Sequence, residues 1–129
     1  MSAIDHVGMA CSDLQTSVAF YRVALAPLGI TLLAELTAAD TGGRAHAGFG
    51  IERPFLWLGA EAQASGAMHL ALTATDRASV EAFHQAALAA GGRNHGAPGL
   101  RPHYHPHYYS AFVLDPDGNN LEAVCHRAA

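Results

Sequence analysis

The sequence predicts an α+β fold made of two successive βαβββ halves. Three observations predict it. The chain repeats itself once, each repeat opens with an apolar segment and an amphipathic helix, and each helix is followed by short apolar segments separated by Gly, Pro and polar residues. Shifting the 129-residue sequence by 63 positions aligns its beginning with its middle, without gaps, over about two dozen residues. His6 then meets His69, Asp13 meets Asp76, Ala19 meets Ala82, Phe20 meets Phe83, Leu25 meets Leu88 and Gly29 meets Gly92. Ser12 and Thr16 face Thr75 and Ser79.

The opening segment, Ile4 to Cys11, and its counterpart, Ala67 to Thr75, are short and mostly apolar, as strands are, and each runs into an Asp. A carboxylate in that position accepts from the free N–H groups of a first helical turn, so Asp13 and Asp76 read as N-caps. Beyond Asp76, Val80, Phe83, Ala87 and Leu88 form one helical face, which Gly91 and Gly92 stop. Val18, Phe20, Tyr21 and Leu25 do the same in the first half, where Pro27 and Gly29 end the helix. A meander of three strands follows: Thr31 to Leu36, Ala45 to Gly50 and Phe55 to Gly59. The second half is less regular. It has a weak strand near Arg93 to Ala97, a loop, a strand from Tyr108 to Leu114, an Asp115-Pro116-Asp117-Gly118 turn, and a strand from Asn120 to Cys125. The expected organisation is one domain over 1–129, with module one at 1–62 and module two at 63–129.

Half of the residues are apolar, enough at this length for one core without disulfides. The net charge of −4 comes from 7 basic and 11 acidic residues that gather into no run, which argues against a nucleic-acid partner. Cys11 and Cys125 stand far apart in apolar stretches and read as reduced, buried thiols. No segment approaches the roughly 20 apolar residues that cross a bilayer. Asp5 stands where a secretory leader would be basic, so no membrane association and a cytoplasmic location are expected.

Nine histidines make imidazole chemistry the feature to locate. His6 and His69 hold the same place in the two repeated strands. A pseudo-two-fold axis relating the halves would set both rings at equivalent points on facing inner surfaces, where they could converge on one atom. Either one taken alone is as readily a hydrogen-bonded core residue. Glu122 lies between Leu121 and Ala123-Val124, and a carboxylate there is costly to bury unless it meets a cation or metal. The alternative is an outward, solvated Glu122. Two imidazoles and one carboxylate leave positions open on an ion for substrate oxygens, which suits a catalytic rather than a closed structural metal.

The IDHVGM opening, the helix-starting Asp13, the AMHLAL strand and the C-terminal FVLDPDGNNLEAV resemble the glyoxalase, bleomycin-resistance and extradiol dioxygenase proteins, the vicinal oxygen chelate superfamily. The likeness spans nearly the whole chain, and DPDGNNLE is its most specific piece. It implies two modules whose sheets curl into an open cup and a divalent metal (Fe, Mn, Ni or Zn) on His6, His69 and Glu122. It also implies a small-molecule substrate chelating through neighbouring oxygens, lyase or dioxygenase activity, and a homodimer that pairs modules across subunits.

Within that superfamily the branch motifs match only partly. Glyoxalases take a fourth carboxylate from the last strand of the first module, but Phe55-Leu56-Trp57-Leu58 has none, and Glu52 and Glu61 beside it read as solvated turn residues. The ring-cleaving branch has a Tyr three residues before the Asp-Pro turn and a histidine upstream; here Phe112 replaces the Tyr, with His105 upstream. The fosfomycin-resistance branch matches in ligand count but not in its basic phosphonate-binding features. The segment from His103 to Tyr109, if extended, would alternate its histidines onto one face as a lid or substrate wall. His105 could then act as general acid or base, and Tyr108 or Tyr109 could donate to a developing oxyanion. A solvated aromatic loop is the other reading of that segment. A metal-independent alternative uses the cup as a cleft in which Trp57, Phe49 and Phe112 stack a planar ligand.

Overall fold

The computed structural model describes residues 3–129. In chain order it contains β1 (Val7–Cys11), α1 (Leu14–Leu25), β2 (Thr31–Leu36), α2 (Ala38–Thr41), β3 (His46–Gly50) and β4 (Pro54–Ala60). There follow β5 (His69–Thr73), α3 (Arg77–Ala89), β6 (Arg93–Leu100), β7 (Tyr109–Leu114) and β8 (Asn120–Cys125). They form two four-stranded sheets of the same plan, β1-β4-β3-β2 and β5-β8-β7-β6. In each, the strand before the helix pairs in parallel with the last strand, and the other pairs are antiparallel. This is the α+β architecture of two βαβββ units that the repeat predicts.

The caps act as expected. Asp13 Oδ1 accepts from the Thr16 amide at 3.2 Å, and Asp76 Oδ1 accepts from the Ser79 amide at 2.8 Å and its hydroxyl at 2.6 Å. Phe20, Tyr21 and Leu25 of α1, and Val80, Phe83 and Ala87 of α3, are buried. Leu88, expected on the same face of α3, is 37% exposed, because it lies at the edge of that stripe.

Pro27 and Gly29 end the first helix as expected: the α-helix stops at Leu25, and Pro27 sits in a 3-10 turn over Ala26–Leu28, which Gly29 closes at φ 75°. Three local expectations need correction. The short α2 was not expected, although Thr37 and Asp40 build a complete capping box for it. The weak strand near Arg93 and the loop after it are one strand to Leu100, irregular against β7 around Gly96. It is an edge strand, where the missing N–H of Pro98 is tolerated. Strands β1 and β5 are shorter than the apolar runs suggest, so His6 falls just outside β1 while His69 begins β5.

The main core draws on both units, joining Met9, Tyr21 and Leu58 to Leu72, Phe83 and Leu121. Polar bonds reinforce this junction. The Tyr21 hydroxyl donates to Asp115 Oδ2 at 2.6 Å, and the Ser12 hydroxyl donates to Asp117 Oδ1 at 2.5 Å. Asp115 also accepts from the Asp117 and Asn119 amides and from Asn119 Nδ2, so this buried carboxylate is fully partnered. Cys11 and Cys125 are free and buried, and burial pushes the Cys11 thiol up to about 11. Among the described residues no helix is long and apolar enough to cross a membrane.

Candidate functional site

Alternation along β8 sets up the site. Leu121 and Ala123 enter the core, so Glu122 between them leaves from the opposite face of the sheet. Yet Glu122 is only 1% exposed. Two side chains satisfy it there. His69 Nε2 donates to Glu122 Oε1 at 2.8 Å, and the Tyr108 hydroxyl donates to Glu122 Oε2 at 2.5 Å. Burial, and then the bond to Glu122, push the Tyr108 phenol up from 10.0 to about 12. The three line a cavity of about 320 Å³ with Tyr104 and Phe112.

The segment 101–108 roofs this cavity. It is a series of turns pinched at its ends, where the Arg101 amide donates to the Tyr108 carbonyl at 2.7 Å. Arg101 anchors it further by donating to the carbonyls of Gly99 and Ala97, and its guanidinium lies 5.4 Å from the centre of the Phe112 ring. The Tyr104 ring packs edge-on against Tyr108 at 5.1 Å.

Because the segment turns rather than extends, its histidines do not alternate onto one face. His105 packs against His107 at 5.9 Å and His126 at 5.7 Å and does not line the cavity. Tyr109 points to the helix side, donating to Glu81 Oε2 at 2.6 Å beneath the Arg77 guanidinium. Of the three side chains expected to do proton chemistry, Tyr108 alone reaches Glu122. Tyr104 and Arg101 had no sequence signal beyond their place in an unusual loop.

His6 stands elsewhere. Its Nδ1 donates to Asp5 Oδ1 at 2.7 Å, which with Arg53 holds the Asp5 carboxyl below its usual range. It lines a second cavity, of about 400 Å³, over the first sheet with Gly8, Arg44, His46, Trp57 and Glu61. Among the described residues no three His, Cys, Asp or Glu side chains come together as an ion would require. The chain therefore unites His69 with Glu122 but leaves His6 apart. Strand register explains this: Gly8 pairs with Trp57 as Ala71 pairs with Glu122, so the two sheets present equivalent faces, and Trp57 occupies in the first the place of Glu122 in the second.

The donors that do meet suit an ion in part. Two ligand atoms each about 2.1 Å from one metal, at right angles, lie about 3 Å apart. The 2.8 Å between His69 Nε2 and Glu122 Oε1 matches that spacing, but one chain supplies half of a four-donor set. Of the aromatic residues expected to stack a ligand, Phe49 is fully buried against Tyr21, whereas Trp57 and Phe112 line the two cavities. Glu61, expected to be a solvated turn residue, is exposed and forms an ion pair with Arg44 beside the first cavity.

A family model for the Glyoxalase/Bleomycin resistance protein/Dioxygenase superfamily matches residues 3–123. The chain belongs to this superfamily. Among solved structures it is similar to a glyoxalase/bleomycin resistance protein from Albidiferax ferrireducens, at 28% identity and TM-score 0.72, covering 98% of this chain and 100% of that one. Glyoxalase I from Zea mays shares the fold at 22% identity and TM-score 0.71, this chain matching 45% of that longer one over 98% of its own length. An antibiotic-binding protein from Streptomyces sp. shares it at 19% identity and TM-score 0.68, with 98% of each chain covered. No curated protein matches the chain in sequence. A glyoxalase I and an antibiotic-binding protein thus share this fold.

Proposed function

We propose that this superfamily member is a cytoplasmic homodimer in which His69 and Glu122 of one copy and His6 of the other hold a divalent metal. A small molecule with neighbouring oxygens binds beside it. The observation that carries this reading is the buried Glu122 carboxylate, aimed away from the core at a half-exposed imidazole. Such a group is costly to keep for packing alone. When bound, the ion supplies Lewis-acid polarisation of a substrate oxygen. Tyr108 holds the second oxygen of Glu122, and Tyr104 and Phe112 line the cavity.

The test is metal content of protein purified without chelator, with mass by light scattering. Wild type should bind near-stoichiometric metal as a dimer, and His6→Ala, His69→Ala and Glu122→Gln should each lose it. Mixing His6→Ala chains with Glu122→Gln chains should restore binding, since a mixed dimer rebuilds one complete set. Metal-free wild type, or a monomer, would defeat the proposal.

One observation favours a second reading. Glu122 is already satisfied by His69 and Tyr108 without an ion, as a metal-free binding cleft would have it. Substoichiometric metal in wild type and His69→Ala alike would select that reading.

A further inference from the structure

The first sheet carries a surface of which the metal reading uses only His6. On neighbouring strands β3 and β4, Gly48 pairs with Trp57 and His46 pairs with Gly59. Each aromatic ring lies down across the glycine opposite it. A Cβ on Gly48 would meet Trp57 ring atoms at 2.8 and 2.9 Å, and one on Gly59 would meet His46 Cδ2 and Nε2 at 3.1 Å. The His46 ring is pinned by Nδ1, which donates to the Arg44 carbonyl at 2.9 Å. On the next strand, β1, the facing residues are Gly8 and Ala10, and a Cβ on Gly8 would meet nothing within 4 Å. Two half-buried flat rings thus line one side of the cavity, backed by glycine.

Among the described residues lining this cavity Arg44 is the cation. Its bond to Glu61 uses Nη1, leaving guanidinium donors free, and both partners are about half exposed at 57% and 46%. An exposed pair of this kind holds weakly, whereas a ligand carboxylate can take a planar guanidinium in a two-point contact.

We propose that Trp57 and His46 form a stacking platform for a planar aromatic acid whose carboxylate is received by Arg44, with Glu61 as the competing internal anion. This names a ligand class for the protein. It depends on the dimer and metal reading only for what faces the platform, so it is tested on metal-stripped full-length protein.

Trp57 is the single tryptophan, so tryptophan emission, excited selectively beyond the tyrosine band, reports on the platform. Naphthoate should quench it saturably, on the order of tenfold more tightly than naphthylmethanol, the gain a charge-assisted bond supplies. Cyclohexanecarboxylate, acidic but not planar, should bind more weakly than naphthoate. Arg44→Gln should abolish the preference for the acid, and Glu61→Gln should tighten naphthoate about threefold by freeing Arg44. Gly8→Leu, which fills open space above the rings, should block naphthoate while leaving the melting curve unchanged. Equal binding of all three probes, or weakening on Glu61→Gln with tightening on Arg44→Gln, would overturn the platform. Those outcomes are separate from metal content, so either proposal can fail alone.

Discussion

The two sheets share strand order, parallel pairing and a histidine at the same place, yet one face carries Glu122 and the other Trp57. Opposite Glu122 on the neighbouring strand stands Phe112; opposite Trp57 stands Gly48. In the second unit the acid is buried beside the 101–108 turns, and in the first half-buried Trp57 and His46 line the cavity. The two units therefore share backbone plan and core and differ in chemistry, one face built around a buried acid and the other around a tryptophan. Fold is carried by the positions that match between the units, and function by those that do not.

The likeness of the cores is tested by the largest effects. Phe20 and Phe83 are equivalent and both buried, so Phe20→Ala and Phe83→Ala should each destabilise by about 3–5 kcal/mol in urea unfolding. A cost at one position only would show that the units do not share their core equally. Next, Tyr21 corresponds to His84, but Tyr21 is buried on Asp115 whereas His84 meets Asn94 at the surface. Tyr21→Phe should cost about 1.5–3 kcal/mol by leaving a buried carboxylate short of a donor. His84→Phe should cost far less, and equal shifts in midpoint would break the contrast.

Smaller effects probe the faces. Gly48→Ala drives a methyl into the Trp57 ring and should cost about 1–3 kcal/mol, with a change in Trp57 emission. An unchanged spectrum would mean that the ring does not lie where described. The smallest effect is alkaline. Tyr108 is raised in the folded protein, so its contribution is fully present below 10.0, the unfolded value, and is lost as pH rises toward about 12. Unfolding midpoints should fall through that window by less in Tyr108→Phe than in wild type; parallel curves would remove Tyr108 from the account.

Much of this was legible in the residues, for definable reasons. Helix caps and buried stripes are local, so Asp13, Asp76, Phe20 and Phe83 declared themselves. Glu122 was legible because an acid flanked by core residues needs partners. Its separation from His6 was not, because a repeat establishes which positions are equivalent and says nothing of the distance between them. Tyr108 and Tyr109 illustrate a finer limit. Neighbouring residues at the start of a strand leave on opposite sides, so which phenol meets Glu122 is decided by register. His105 was misplaced for a different reason, since turn geometry in 101–108 depends on anchors such as Arg101 that no periodicity reveals.

The turn at 115–118 has a consequence for inheritance. It immediately precedes β8, the strand that carries Glu122, and it is fastened to Ser12 and Tyr21 of the opposite unit. The acid's position is thereby set by residues near the start of the chain. A half exchanged with a related protein would need matching fastenings at both ends, so recombination between such halves is constrained by hydroxyl and carboxylate partners far from any ligand.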